Sequence, residues 1–473
     1  MIFSSSIFLL YFFPLFLVLY YLCDPRYKNG FALAASFIFF SWGAPLFVFV
    51  VAASILLDYF IVLKIERSEG KRRKRFLVVS VILNVGLLAY FKYSNFFVEN
   101  INNLVGTWGA HGIAWTRVAL PIGISFFTFK KLSYCIDVYR GTHKAFVKIR
   151  DYALFIMLFP ELIAGPIVRF NEIADQIIDR RDQETIDNKL LGLFRFVIGL
   201  SKKVLIANVL GAEADKIFAL EPTTLNTPVA WIGILAYTFQ IYFDFSGYSD
   251  MAIGIAKMIG FKFPENFDNP YISQSITEFW RRWHITLGRW MRDYLYIPLG
   301  GNKVGKGRLY FNLVLVFFLS GLWHGASWTF VVWGCFHGLF LIADRIFLLK
   351  FYSKIGRIPS AIITFVIVVC GWVFFRSENL INALHYLRKM FAFDFSKYQI
   401  HFELNFPVMM MLAAVFSFWG ASKRIRSMQD AIYFSEYGIP RLVTMSIASV
   451  ILFILSEAAI TSSGFNPFIY YRF

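Results

Sequence analysis

Apolar stretches long enough to enter a bilayer recur along the whole chain, separated by short polar intervals. They run over 7–22, 31–40, 44–63, 76–90, 118–132, 152–164, 190–210, 230–245, 309–323, 330–349, 362–375, 408–419 and 443–455. A helix needs about 20 mostly apolar residues to cross the hydrocarbon core, so the shorter stretches predict tilted, broken or re-entrant segments. The pattern predicts an all-α polytopic membrane protein with roughly eleven helices crossing or entering the bilayer.

Composition agrees with that class. Of 473 residues, 58% are hydrophobic, 19% aromatic and only 16% charged, against about 25% charged in a soluble domain. The mean hydropathy is +0.58. The formal net charge of +17 is carried in short loops, where the positive-inside rule accounts for it without nucleic acid as a partner. Lys64, Arg67 and the run Lys71 to Arg75 mark a cytoplasmic loop, as do Arg26 and Lys28, Lys144 to Arg150, and Lys423, Arg424 and Arg426. An extracytoplasmic N-terminus followed by a retained first span satisfies this parity, and the start lacks a basic n-region and a cleavage site. The four cysteines are scattered without metal-ligand spacing and are expected to pack as apolar residues, with no metal site. No P-loop, GxSxG elbow, HExxH helix or internal repeat is found. A single domain over 1–473 is expected, with an extracytoplasmic excursion near Lys92–Thr116.

Candidate chemistry lies where polar groups enter these runs. SGLWHGASW, from Ser320, puts His324 at the end of the run 310–322, whose polar residues are Asn312 and Ser320. An ionisable group at bilayer depth is costly and marks a functional site by default. An imidazole is also well suited to moving protons near neutral pH. Upstream, Gln240, Asp244, Ser246, Ser249 and Asp250 sit among aromatics, with Gln240 and Asp244 on one helix face. Such a face points to the protein interior or a watery cavity, either as a packing network or as substrate contacts. Between Thr277 and Ile297 the periodicity predicts one amphipathic helix. Trp280, Trp283, Leu287, Trp290 and Tyr294 share one face, while Glu278, Arg282, Arg289 and Asp293 gather opposite at i,i+4 spacing. His284 falls between the faces, and Pro298, Gly300 and Gly301 end the helix. His337 reads as a packing residue.

Several ordered motifs carry a family likeness. They are LPIGISFFTFKKLSYCIDVYRG from Leu120, FPELIAGPIVRF from Phe159 and FQIYFDFSGYSDMAIG from Phe239. FDNPYISQSITEFWRRWHITLGRWMRDYLYIPLGG from Phe267, GLWHGASWTFVVWG from Gly321 and SGFNPFIYYRF at the finish continue the series. On these motifs the chain resembles the membrane-bound O-acyltransferase (MBOAT) family, in its bacterial alginate O-acetylation (AlgI-like) branch. The resemblance spans the chain, with its motif-rich catalytic part over about 120–345. It implies a helix bundle around a central tunnel, with His324 as the catalytic histidine near mid-membrane and His284 as the second histidine. Gln240, Asp244, Trp280, Arg282, Trp283, Asp293, Asn312 and Trp323 are the candidate tunnel and substrate residues. It also implies transfer of an acetyl group from a cytoplasmic thioester, acetyl-CoA or an acyl carrier protein, with no bound cofactor. The acceptor would be a hydroxyl on an extracytoplasmic SGNH-type acetyltransferase or a cell-surface polysaccharide, and the location the bacterial inner membrane among its lipids. Lys130 and Lys131 depart from the family pattern, standing where glutamine and a small residue are expected, and Glu161 stands where glutamine is common.

Two other readings fit parts of the chain. D-alanyl transfer to teichoic acid belongs to a sister branch, but the PLGGN stretch and long C-terminal extension favour acetyl transfer. A polysaccharide or lipid transporter would be expected to show interrupted helices in two matching halves, which the chain lacks.

Overall fold

The computed structural model describes residues 1–109, 111–221, 224–397, 400–434 and 438–463, so most of the C-terminal SGFNPFIYYRF motif lies outside the described residues. Among the described residues the secondary structure is helical, relieved by one isolated antiparallel bridge between Phe267 and Trp283. The chain divides into two compact units, Met1–Asn188 with Ala256–Phe263, and Lys189–Ile255 with Pro264–Phe473.

In the first unit, the helices Phe47–Glu66 and Gly70–Gly106 are long and apolar enough to cross a membrane. The second absorbs the start of the expected extracytoplasmic excursion, because Lys92 is buried within it and donates to Ser125 Oγ at 3.2 Å. A polar core centres on Asp58, which accepts from Ser80 Oγ at 2.6 Å, Asn84 Nδ2 at 3.0 Å and the Tyr152 hydroxyl at 2.5 Å. The apolar stretch 152–164 does not continue as a helix. Its helix Ile149–Met157 ends at Leu158, whose ψ of 112° leaves the helical region, and a single 3-10 turn, Phe159–Glu161, carries Pro160 near its start. The irregular backbone beyond is buried and held by side chains, with Phe159 N–H donating to Ser36 Oγ at 3.1 Å. Here two departures from the family pattern meet: Lys130 Nζ and Glu161 Oε1 form a fully buried ion pair at 2.7 Å.

In the second unit, Trp328–Ile355, Arg357–Arg376 and Ile439–Ser462 are the apolar candidate spans. Among the described residues of the whole chain there are five such helices, or six if the pair Phe406–Ala421 and Lys423–Tyr433, bent by 100°, is one span. The roughly eleven expected are not reached by length and composition, for two physical reasons. Some apolar stretches are shortened, as at Pro160. Others lie in helices with charged groups inside them, as in Thr227–Met258, 32 residues long with Asp244 and Asp250 buried.

Three consecutive helices of this unit frame the site. The His324 helix, Lys306–His324, runs antiparallel to Trp328–Ile355, with Gly321, Gly334 and Gly338 at the crossing. A Cβ on Gly334 would collide with Phe317 O, so the two backbones are in contact there. Arg357–Arg376 then returns antiparallel to its predecessor, bringing Gly371 against His337.

Candidate active site

His324 is the last residue of its helix, where Gly325 breaks the run in an extended conformation. A Cβ at Gly325 would overlap the Phe330 ring, so a side chain here requires that ring to move. The imidazole is 5% exposed and walled by aromatic rings. Ring centroids lie at 4.9 Å for Trp323, 5.0 Å for Trp333 and 5.3 Å for Phe375. Beside it lies a cavity of about 450 Å³, lined by Tyr237, Gly325, Ser327, Phe330, Phe375 and Arg376 among others.

His284 does not sit on a continuous helix. The predicted helix is broken into Ile276–Arg282 and Ile285–Met291, with His284 between them at φ 45°. The preceding segment takes up the backbone groups freed at the break. Arg282 O accepts from Asp268 N–H at 3.0 Å, and Ile285 N–H donates to Asn266 O at 2.9 Å. Asn266 also fixes the ring. Its Oδ1 accepts from Thr286 N–H at 3.3 Å and Thr286 Oγ1 at 2.8 Å, while its Nδ2 donates to Ser249 Oγ at 3.1 Å. The backbone donor settles which end of the amide is oxygen, so His284 Nδ1, 3.0 Å from Oδ1, carries the proton. Nε2 is then a buried lone pair without a hydrogen-bond partner among the described residues. His284 lies outside the candidate spans, and burial pushes its pKa down to about 3.

Trp323 joins the two histidines, its ring centroid 4.9 Å from that of His324 and 6.1 Å from that of His284. Trp280 reaches the same cluster through Trp333 at 5.6 Å, and Trp283 packs against Trp372 at 4.9 Å. The other candidates find partners elsewhere. Asp244 forms a buried ion pair with Lys203 at 2.8 Å, and the Gln240 amide packs over Gly211. Arg282 bridges Glu278 at 2.9 Å and Asp268 at 3.1 Å, Asp293 meets Arg292 at 2.7 Å, and Asn312 donates to Leu299 O at 3.0 Å.

Sequence reasoning missed Asn266 and Trp333. Trp333 is fully buried between His324 and His337, and its indole N–H has no hydrogen-bond partner among the described residues. The signal for it was its place in the helix that follows the LWHG motif. His337 packs against Trp280, Trp333 and Phe336, at 5.1, 5.2 and 5.4 Å between centroids. Among the described residues no cluster of ligating side chains could hold a metal ion.

The fold and these residues define a multi-pass membrane protein with buried histidines, one of them beside a cavity. The model of MBOAT, the membrane-bound O-acyltransferase family, matches residues 142–385. The chain is 42% identical over 506 aligned positions to "Probable alginate O-acetylase AlgI" of Azotobacter vinelandii, covering 100% of both chains. It is 39% identical to "Peptidoglycan O-acetyltransferase" of Helicobacter pylori over 82% of this chain and 80% of that one. A "Teichoic acid D-alanyltransferase" of Streptococcus thermophilus matches at 31% over 48% of this chain and 58% of its own. The chain belongs to the membrane-bound O-acyltransferase family and is an acyltransferase.

Proposed function

We propose that the chain is a bacterial inner-membrane O-acetyltransferase that takes an acetyl group from a cytoplasmic thioester and passes it to an extracytoplasmic hydroxyl. The donor is acetyl-CoA or an acyl carrier protein, and the acceptor an SGNH-type acetyltransferase or a cell-surface polysaccharide. The observation that carries this reading is His324 beside the 450 Å³ cavity, between aromatic walls. The cavity lies at the helix ends opposite Lys303, Lys306, Lys350, Lys354 and Arg357, which the positive-inside rule assigns to the cytoplasm.

The chemistry balances with this chain's own groups. A neutral His324 takes the proton of the acceptor hydroxyl as its oxygen attacks the thioester carbonyl carbon. The C–S bond then breaks, and the departing thiolate recovers that proton. His284, as a Nδ1-protonated base, orients the donor side through Trp323.

The coverage of the acetylating relatives favours acetyl over D-alanyl transfer. The test reconstitutes purified protein with radiolabelled acetyl-CoA, its carrier protein and the extracytoplasmic partner. His324→Ala is expected to lower transfer by at least about 10²-fold with an unchanged unfolding temperature. Full transfer by a folded His324→Ala protein would refute the general-base role.

A further inference from the structure

The first unit contains a second polar cavity, of about 240 Å³, that the acyl-transfer chemistry does not use. It lies where the first helix, Phe13–Leu22, turns into Lys28–Gly43, and the turn 178–184 closes its other side. Its lining holds five cations, Arg26, Lys28, Arg150, Arg180 and Arg181, and two carboxylates, Asp179 and Glu184. Three of the cations are matched: Lys28 by Glu184, Arg150 by Asp151 at 3.1 Å, and Arg181 by Asp179 at 2.7 Å. Arg26 and Arg180 have no carboxylate within ion-pair distance among the described residues.

Arg180 is the stronger anomaly. It is 6% exposed, yet neutral oxygens alone hold its guanidinium. Nε donates to Ile259 O at 3.1 Å, Nη1 to Asn29 Oδ1 at 2.7 Å and Nη2 to the Tyr20 hydroxyl at 2.9 Å, while the Phe261 ring lies 4.1 Å away. Glu184 reaches Arg180 through the Tyr20 hydroxyl, 2.9 Å from Glu184 Oε1, but is shared with Lys28, so one buried positive charge stays uncompensated and an anion in the adjoining cavity offsets its cost. Exposed apolar side chains, Leu22, Tyr27 and Ile178, flank this basic pocket. Apolar groups beside uncompensated cations suit a phosphate whose ester chains lie in lipid. The basic turn also belongs to the cytoplasmic face, where anionic lipids gather.

We propose that this cavity is a phosphate-binding site, occupied by the headgroup phosphate of an anionic phospholipid, with Arg26 and Arg180 as its charge-bearing residues. A soluble phosphate presents the same chemistry, so the experiment separates the two sources. The purified full-length protein in neutral detergent is titrated with phosphatidylglycerol, phosphatidylcholine and inorganic phosphate, and bound ligand is counted by native mass spectrometry. Phosphatidylglycerol is expected to bind about tenfold more tightly than phosphatidylcholine. Arg26 is exposed and dispensable to the packing, so Arg26→Gln should fold and weaken that binding about fivefold. Lys74→Gln, at an exposed cation near the start of the helix Gly70–Gly106 and outside the cavity lining, should leave it unchanged. Displacement of the lipid by millimolar inorganic phosphate supports the site and assigns it to phosphate alone. Equal binding of the two lipids with no competition by phosphate, or equal behaviour of the two variants, would overturn it.

Discussion

The proton on His284 is set by a neighbour eighteen positions upstream in the chain. Asn266 Oδ1 must accept from a backbone N–H, which leaves the histidine to donate from Nδ1 and to keep Nε2 as a base. With its pKa pushed down to about 3 by burial, His284 stays neutral throughout the physiological range. In the unfolded chain the same group takes a proton near pH 6.5. Its contribution to stability is therefore complete above about pH 6.5 and is lost as the pH falls toward 3, where the folded state also binds the proton. By about pH 5 the loss should reach the order of 2 kcal/mol. His284→Gln, which keeps a donor for Asn266, should flatten this acid limb in thermal unfolding of the detergent-purified protein. Parallel slopes for the two proteins between about pH 5 and 8 would rule it out. His324 was legible in the sequence as an ionisable group in costly surroundings, and His284 only as a residue between two helix faces that the family likeness singled out. Asn266 was not, because an asparagine in a loop carries no such signal until the fold brings Ser249, His284 and Thr286 around it. Lys130 and Glu161 were legible only as separate oddities, thirty-one residues apart, and their pairing gives each a reason. Breaking such a buried pair leaves an uncompensated charge, so the two substitutions stand or fall together.

At the level of elements, periodicity failed where tertiary hydrogen bonds outweigh it. The aromatic face from Trp280 to Tyr294 reads straight through the break at His284, since Trp283, Leu287, Trp290 and Tyr294 are all buried in the broken form too. What decides the break is the segment 266–268, which pairs with Arg282 and Ile285 and has no helical signature of its own. The helices around His324 are set by a different device. Gly334 lets the backbone of Trp328–Ile355 lie directly on Phe317 O of the His324 helix, so a methyl group there must push the two apart. Gly334→Ala should cost about 1–3 kcal/mol by overpacking. It should also lower acyl transfer at least about tenfold, because His324 rides on the displaced helix. Gly307→Ala, in the first turn of that helix with open space around it, supplies the control and should be neutral or slightly stabilising. The idea fails if the two alanines give the same unfolding temperature and the same rate.

Across the whole molecule, membrane residence was the most legible property, since composition and repeated apolar runs require no tertiary knowledge. The number of spans was not legible, because apolar runs are also what a membrane enzyme uses to wrap buried charge. The run 230–245 lies in a helix whose Asp244 is paired with Lys203, and the run 152–164 is a helix end followed by buried irregular chain. Charge remains the better guide to direction. In the returning pair Trp328–Ile355 and Arg357–Arg376, Arg345, Lys350, Lys354 and Arg357 cluster at the shared end. The opposite ends hold Ser327, Glu378 and one cation, Arg376, which is paired with Asp215 at 2.6 Å, and all three line the cavity next to His324. On the positive-inside rule we expect that cavity to be the extracytoplasmic mouth of the site. The prediction is direct in a protein whose four native cysteines, Cys23, Cys135, Cys335 and Cys370, are replaced by alanine. Glu378→Cys should react with a membrane-impermeant maleimide added to spheroplasts, and Lys354→Cys, also exposed, should react only after the membrane is opened. The reverse pattern would place the cavity on the donor side, leaving His324 to meet the thioester there and its hydroxyl acceptor from within the bundle.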